Sequence, residues 1–285
     1  HEDPNLDTGE IVLRYTFDGQ IAERTDARGV TFRYFYDALG RLAWVVVGSY
    51  DGGQFYTKLP SSMLDGPVPV DRIMAIQYLY NDEGRLSDVI ARTNADDPNS
   101  VLTHTRYEYD ARGNLIREWQ GHDGHLGATP PATTARVDYE WDYAPTDTPA
   151  GALGHDRLAA IIYPRPPNGN EASRRRVNFS YGDPGSIDDT ISRLLGITSG
   201  YNSAFQSVAR FQYAGIDRRA AMTLGAGTGQ IHADLRAPVG NSQPIGLSGL
   251  DMFGCLRDLH YRNTAKATLF RAEHAYDESG NRLYD

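Results

Sequence analysis

The chain has 285 residues, a formal net charge of −9 and a calculated pI near 5.4, and it lacks the clustered Lys and Arg that neutralise nucleic-acid phosphates. No apolar run reaches the roughly 18 residues of a membrane-spanning helix, and the single Cys255 excludes an intramolecular disulfide. With 18 Tyr, 29 Gly and 15 Pro, the composition favours many short strands broken by turns.

The opening His1-Glu2-Asp3-Pro4 has neither an initiator Met nor a signal peptide and reads as a processed segment. Residues 13–17 and 20–24 predict a first hairpin turned at Asp18-Gly19, followed by a turn at Asp26 to Gly29. Residues 31–44 then spell out a complete hairpin. Tyr34, Phe35 and Tyr36 alternate as strand residues do, Asp37 suits a type I turn, and Gly40 suits a position of positive φ. Pairing across this turn places Tyr36 opposite Leu42 and Tyr34 opposite Trp44, on one aromatic face. Residues 48–71 read as a long loop with a helical turn at 59–65, and 70–80 return to the sheet.

The hairpin then recurs as aromatic-x-aromatic-Asp/Asn-x-x-Gly-Arg/Asn-Leu, the signature of an internal repeat. Tyr78, Tyr80, Asn81, Gly84 and Leu86 form one copy, and Tyr107, Tyr109, Asp110, Gly113 and Leu115 another. A third, with Tyr276, Asp277 and Gly280, has one extra residue before Leu283, which should shift its register. Degenerate copies keep the aromatics at Tyr15/Phe17, Tyr139/Trp141, Phe179/Tyr181 and Phe211/Tyr213. Repeat units are thus centred near 17, 36, 80, 109, 141, 181, 213 and 276, at uneven spacing that puts insertions in the turns, including 143–154. The other places where a helical turn fits are 187–195 and 264–275, so helix should be scarce. No linker divides the repeats. The expectation is one all-β domain over 1–285, antiparallel hairpins stacked into a long twisted sheet.

These motifs resemble those of the YD-repeat or Rhs-repeat family. The match is close at Tyr36-Asp37-Ala38-Leu39-Gly40-Arg41-Leu42 and at Tyr109-Asp110-Ala111-Arg112-Gly113-Asn114-Leu115, and Thr25-Asp26-Ala27-Arg28-Gly29 fits the other half of the family's repeat. The resemblance implies a spiral strand ribbon that closes into a hollow shell, with this chain as part of the wall. Its partners are then the remaining parts of a larger shell polypeptide and an enclosed or adjoining protein domain. The same resemblance implies a secreted or cell-surface protein, as in bacterial Rhs toxins, shell subunits of insecticidal toxin complexes, or teneurins. Bacterial members often end in a core where aspartates release a C-terminal cargo. Gly182-Asp183-Pro184-Gly185 is similar to such a cleavage signature but lies inside a repeat and reads as a turn, and the core is expected to be absent before Asp285.

Other chemical motifs are weak. Gly225-Ala226-Gly227-Thr228-Gly229 imitates a phosphate loop without the Lys-Ser/Thr that follows one. His122 and His125 have metal-ligand types without a third ligand nearby, Gly246 to Gly249 is one residue short of a nucleophile elbow, and Arg174-Arg175-Arg176 reads as a solvated strand entry. Cys255, between Phe253 and Leu256, reads as a buried thiol. No catalytic residue, cofactor or metal is expected. Two function classes remain: a structural shell segment, or a carbohydrate-binding or adhesion module using exposed aromatics. Packing of Tyr36, Tyr80, Tyr109 and Tyr276 within the sheet favours the first, and an exposed aromatic platform the second. A ribbon section should also self-associate edge to edge through its terminal strands.

Overall fold

The computed structural model describes residues 11–27, 29–47, 50–51, 54–55, 73–122, 124–142, 156–216, 218–234, 257–277 and 279–284. Arg28, Asp123, Cys255, the 59–65 helical turn, the 143–154 insertion and the Gly246–Gly249 motif lie outside these residues. The chain divides into two compact units, His1–Val137 and Asp138–Asp285. Among the described residues both are built almost wholly of antiparallel strands.

In the first unit the strands are β1 (Val12–Tyr15), β2 (Ile21–Thr25), β3 (Thr31–Tyr36), β4 (Leu42–Val47), β5 (Tyr50–Asp51), β6 (Gln54–Phe55), β7 (Ala75–Tyr80), β8 (Leu86–Arg92), β9 (Val101–Tyr109) and β10 (Leu115–Gly121). Pairing follows chain order from β1 to β4, then β4 to β7 and on to β10, while β5 and β6 pair with each other. The second unit continues from β11 (Ala135–Asp142) through β12 (Arg157–Ile162), β13 (Arg176–Ser180), β14 (Gly196–Tyr201), β15 (Ala204–Ala214), β16 (Arg218–Leu224), β17 (Ile231–Asp234), β18 (Asp258–Asn263) and β19 (Thr268–Glu273). Each of these pairs with the next. A separate hairpin of β20 (Ala275–Tyr276) and β21 (Arg282–Tyr284) follows. Sequential pairing of this kind needs only short connections, which is why turn chemistry dominates the sequence.

Among the described residues, helix is confined to α1 (Ile187–Thr190), capped by Ser186, and two short 3₁₀ turns. The segment 264–275, read as a possible helical turn, is instead the turn into β19, as its alternating β-branched and aromatic residues favour.

One register expectation fails for a reason common to the hairpins. Tyr36 does face Leu42, but Phe35 faces Trp44 and Tyr34 faces Val45. The return strand carries one extra residue after its Leu, a β-bulge that shifts every pair beyond it. The same shift separates Tyr80↔Leu86 from Leu79↔Asp88, Tyr109↔Leu115 from Glu108↔Arg117, and Trp141↔Leu158 from Glu140↔Ala160. In the first hairpin the signature position falls on Tyr15, which faces Ile21, and Phe17 sits in the turn, fully exposed. The extra residue near Leu283 leaves the last turn intact: Tyr276 faces Arg282, and Leu283 drops out of the ladder.

Few side chains are fully buried among the described residues. Val46, Met74, Ile90, Trp119 and Leu126 are the larger apolar ones in the first unit, whereas in the second the buried apolar positions are Ala160, Ala209, Ala220 and Ala233. Most strand side chains are half-buried, so much of the packing is sideways, between neighbouring hairpins.

Candidate functional site

The recurring turn is built by one acidic or amide side chain. Asp37 N–H donates to the Arg41 carbonyl at 2.8 Å, and the Asp37 carbonyl accepts from Gly40 N–H at 2.9 Å. Its Oδ1 accepts from the N–H groups of Leu39 and Arg41, both at 2.9 Å, and Oδ2 accepts from Arg41 Nε at 2.7 Å. Those backbone and side-chain donors, led by Arg41 N–H, hold the Asp37 carboxyl below the usual carboxylate range. Asn81, Asp110 and Asp277 accept in the same way from the N–H groups of Arg85, Asn114 and Asn281, at 2.8, 2.9 and 2.8 Å. Gly40, Gly84 and Gly113 close these turns at φ of 74°, 80° and 96°.

Successive hairpins are joined by a second device. The hydroxyl of Tyr36 donates to the Ile21 carbonyl at 2.8 Å, Tyr80 to Leu42 at 2.8 Å and Tyr109 to Leu86 at 2.9 Å. In the second unit Tyr181 donates to Leu158 and Tyr213 to Leu194, both at 2.8 Å. The acceptor is each time the Leu position of the preceding hairpin. The Arg just before that Leu covers the ring of the same Tyr: Arg41 lies 4.2 Å from the Tyr80 centroid, Arg85 5.6 Å from Tyr109, Arg157 4.4 Å from Tyr181 and Arg193 4.7 Å from Tyr213. A cation on a ring face and a hydroxyl on a carbonyl thus clip Tyr80, Tyr109, Tyr181 and Tyr213 to the preceding hairpin, and Tyr36 is clipped through its hydroxyl. Burial, the largest cause, raises the phenol pKa of Tyr36, Tyr109 and Tyr181, as it does for Tyr78 on the same strand as Tyr80.

The signature residues therefore divide by task. Asp37, Asn81, Asp110 and Asp277 shape turns; Tyr36, Tyr80 and Tyr109 clip; Leu42 and Leu86 supply the carbonyls, and Leu115 faces Tyr109. Tyr34, Tyr78 and Tyr107 stand in the ladder opposite Val45, Val89 and Glu118. Tyr276 and Gly280 belong to the separate final hairpin.

A buried polar cluster was not singled out by sequence reasoning. His104, 1% exposed, lies 2.7 Å through Nε2 from Asp88 Oδ1, and its Nδ1 accepts the Leu126 N–H at 2.9 Å. That second bond puts the ring proton on Nε2. Arg106 Nε donates to the same carboxylate oxygen at 2.8 Å, and its Nη1 donates to the Gly127 carbonyl at 2.6 Å. Burial alone would raise the Asp88 pKa, but the His104 and Arg106 hydrogen bonds hold it far below the carboxylate range. With Nδ1 committed to backbone, the His104–Asp88 pair fastens the segment after β10 instead of offering a free base. The signal in the sequence was an acid and two bases at inward positions of neighbouring strands.

His125 lies against His104 with ring centroids 4.6 Å apart, and burial and that neighbour depress its pKa. Among the described residues no three His, Cys, Asp or Glu side chains are gathered to hold a metal. Gly225 to Gly229 connects β16 to β17 through a 3₁₀ turn, and Asp183 accepts Ser186 N–H in the turn that leads into α1.

Residues 15–51 match the RHS Repeat family model. No curated protein matches the chain. Among solved structures, the chain is similar over 96% of its length to TcdB2-TccC3 without its hypervariable C-terminal region, at 12% identity and a TM-score of 0.30. It is similar over 95% of its length to the Photorhabdus luminescens Tc holotoxin pore, also at 12% identity and a TM-score of 0.30. It spans only 18% and 15% of those two chains. A porin-like protein from Bacteroides uniformis is similar over 92% of this chain and 88% of its own, at 9% identity and a TM-score of 0.30.

Proposed function

We propose that this chain, which carries an RHS repeat over residues 15–51 and iterates its hairpin beyond it, is a non-catalytic wall segment of a larger exported polypeptide that encloses or presents another protein domain. The observation that carries this reading is the clip. Tyr80 and Tyr109 spend both their hydroxyl and a ring face on the preceding hairpin, leaving them for packing and not for a ligand. A surface made this way extends by adding units, which is what a wall requires. The shell subunits of Tc toxins, whose architecture the sequence motifs imply, offer the matching role, and secretion or surface display follows from it.

The test uses the full natural polypeptide containing this chain. Limited thermolysin digestion is expected to spare an adjoining domain while the wall is intact and to degrade it in a Tyr80→Ala/Tyr109→Ala variant. Equal digestion in both forms would sink the enclosure. A chelator is expected to leave the melting temperature unchanged, and a fall of several degrees would instead assign the wall a metal.

A further inference from the structure

The basic run Arg174-Arg175-Arg176 is used unevenly. Arg174 Nη1 contacts Asp138, and Arg176 Nη1 donates to Glu140 Oε1 at 2.7 Å, so the two outer residues are neutralised by β11. Arg175 makes no ion pair with any described residue: its Nε donates to Ser199 Oγ at 2.9 Å, and both terminal amino groups are left over.

Its surroundings are also unlike the clips. Tyr163 N–H bonds to the Arg175 carbonyl, and the β13–β14 register, with Arg176 opposite Gly200, brings Arg175 opposite Tyr201. Tyr163, just after β12, Arg175, just before β13, and Tyr201, the last residue of β14, thus stand in one row at the end of three neighbouring strands. The Arg175 guanidinium carbon lies 5.9 Å from the Tyr163 centroid. Both aromatics are open to solvent, Tyr163 at 43% and Tyr201 at 53%, and neither hydroxyl takes part in the hydrogen bonds that occupy the clip tyrosines. Beside the row is an open cleft of about 680 Å³ that Ser199, Tyr201 and Gln206 share with Arg175.

We propose that this row binds an acidic saccharide, with the sugar carboxylate on the free edge of Arg175, the apolar face of the pyranose on Tyr201, and ring hydroxyls on Ser199 and Gln206. A fork of two N–H donors matches a carboxylate in a bidentate pair. An exposed Tyr offers a flat face for sugar C–H groups, and neutral Ser and Gln suit hydroxyls better than a second negative charge. The net charge disfavours nucleic acid as the anion, since one free Arg does not make a phosphate track.

The probes are sialyllactose, an oligogalacturonate, lactose and inorganic phosphate, titrated into the whole chain and followed by NMR shifts. One acidic saccharide is expected to bind with a Kd of about 1 mM, and lactose roughly tenfold more weakly. Arg175→Gln is expected to weaken the acidic saccharide roughly tenfold and Tyr201→Ala several-fold, with melting temperatures unchanged because both side chains are exposed. The proposal is overturned by no binding of either acidic saccharide up to about 10 mM. Equal binding of lactose, displacement by equimolar phosphate, or indifference to Arg175→Gln overturns it as well.

Discussion

At the scale of single residues, the clip makes Tyr→Phe an instructive substitution, because it removes one hydroxyl and leaves the ring. Tyr109→Phe should strand the Leu86 carbonyl without its donor and cost about 1 kcal/mol, read as a lower urea midpoint at unchanged m-value. An unchanged midpoint would mean that water serves the carbonyl as well. The turn glycine carries two demands at once. Gly113 has φ of 96°, and a Cβ added there would stand 2.5 Å from the Arg85 guanidinium, the group that covers Tyr109. Gly113→Val should therefore cost more than the roughly 1 kcal/mol of a backbone penalty alone, because Arg85 must leave its ring. Gly19→Ala is the control, with φ of 82° and open space at its Cβ. Alkali should probe the tyrosines together. The folded chain keeps phenolic protons on Tyr36, Tyr109 and Tyr181 that the unfolded chain releases near pH 10, so stability should fall as the pH rises beyond about 10.

At the scale of elements, the segment after β10 hangs on His104, Asp88 and Arg106, and its stability should fall with acid. The His125 pKa is depressed in the folded chain, so the unfolded chain takes up that proton first, and stability present above about pH 6.5 is lost as the pH falls below it. Asp88, also depressed, adds a second loss below about pH 4. Urea midpoints measured from neutral to mildly acidic pH should fall less in His125→Gln than in the wild type, and parallel curves would remove His125 from the account. Most hairpins were legible because Asp37, Asn81, Asp110 and their glycines sit at fixed offsets that only one turn satisfies. The bulge was not legible, since nothing in Leu42-Ala43-Trp44 marks Ala43 as the extra residue, and the pairing of Tyr34 was misread in consequence. The hairpin turned at Asn263 escaped for another reason: Arg262 stands in the Tyr position and Lys266 replaces the glycine at φ of 65°, so the geometry survives without its letters. The Asp88–His104 pair joins two strands, and its contact needs the β8–β9 register, which composition cannot supply.

At the scale of the whole molecule, the decisive feature is the asymmetry of the clip. Where the clip is complete, at Tyr80, Tyr109, Tyr181 and Tyr213, one hairpin gives a carbonyl and a cation from its return strand and the next receives them with the Tyr of its entry strand. Tyr15 is the entry residue of the first hairpin, and at 58% exposure it has the receiving position without the covered environment of Tyr36, Tyr80 and Tyr109. All of β1 is exposed, and Arg14 is its one charge. In the second unit β19 presents Leu269 and Phe270, each 54% exposed, with Arg271 tied to Asp258 at 2.9 Å. A strand added at β1 therefore has a specified chemistry: a return strand that offers a main-chain carbonyl to Tyr15 and a long cation to its ring. The β19 strand of a second copy has Thr268 in the Leu position and Ala267 in the Arg position, so it can give Tyr15 a carbonyl but no cation; the contact still joins unlike edges, and association between copies should run head to tail and build open chains, not closed two-fold dimers. Sedimentation velocity over a wide concentration range should show a ladder of species that Tyr15→Ala shortens. A strictly monomeric chain with the β1 amides protected from hydrogen exchange would mean that the edge is already covered, and the chain would then be a self-contained module and not a section of wall.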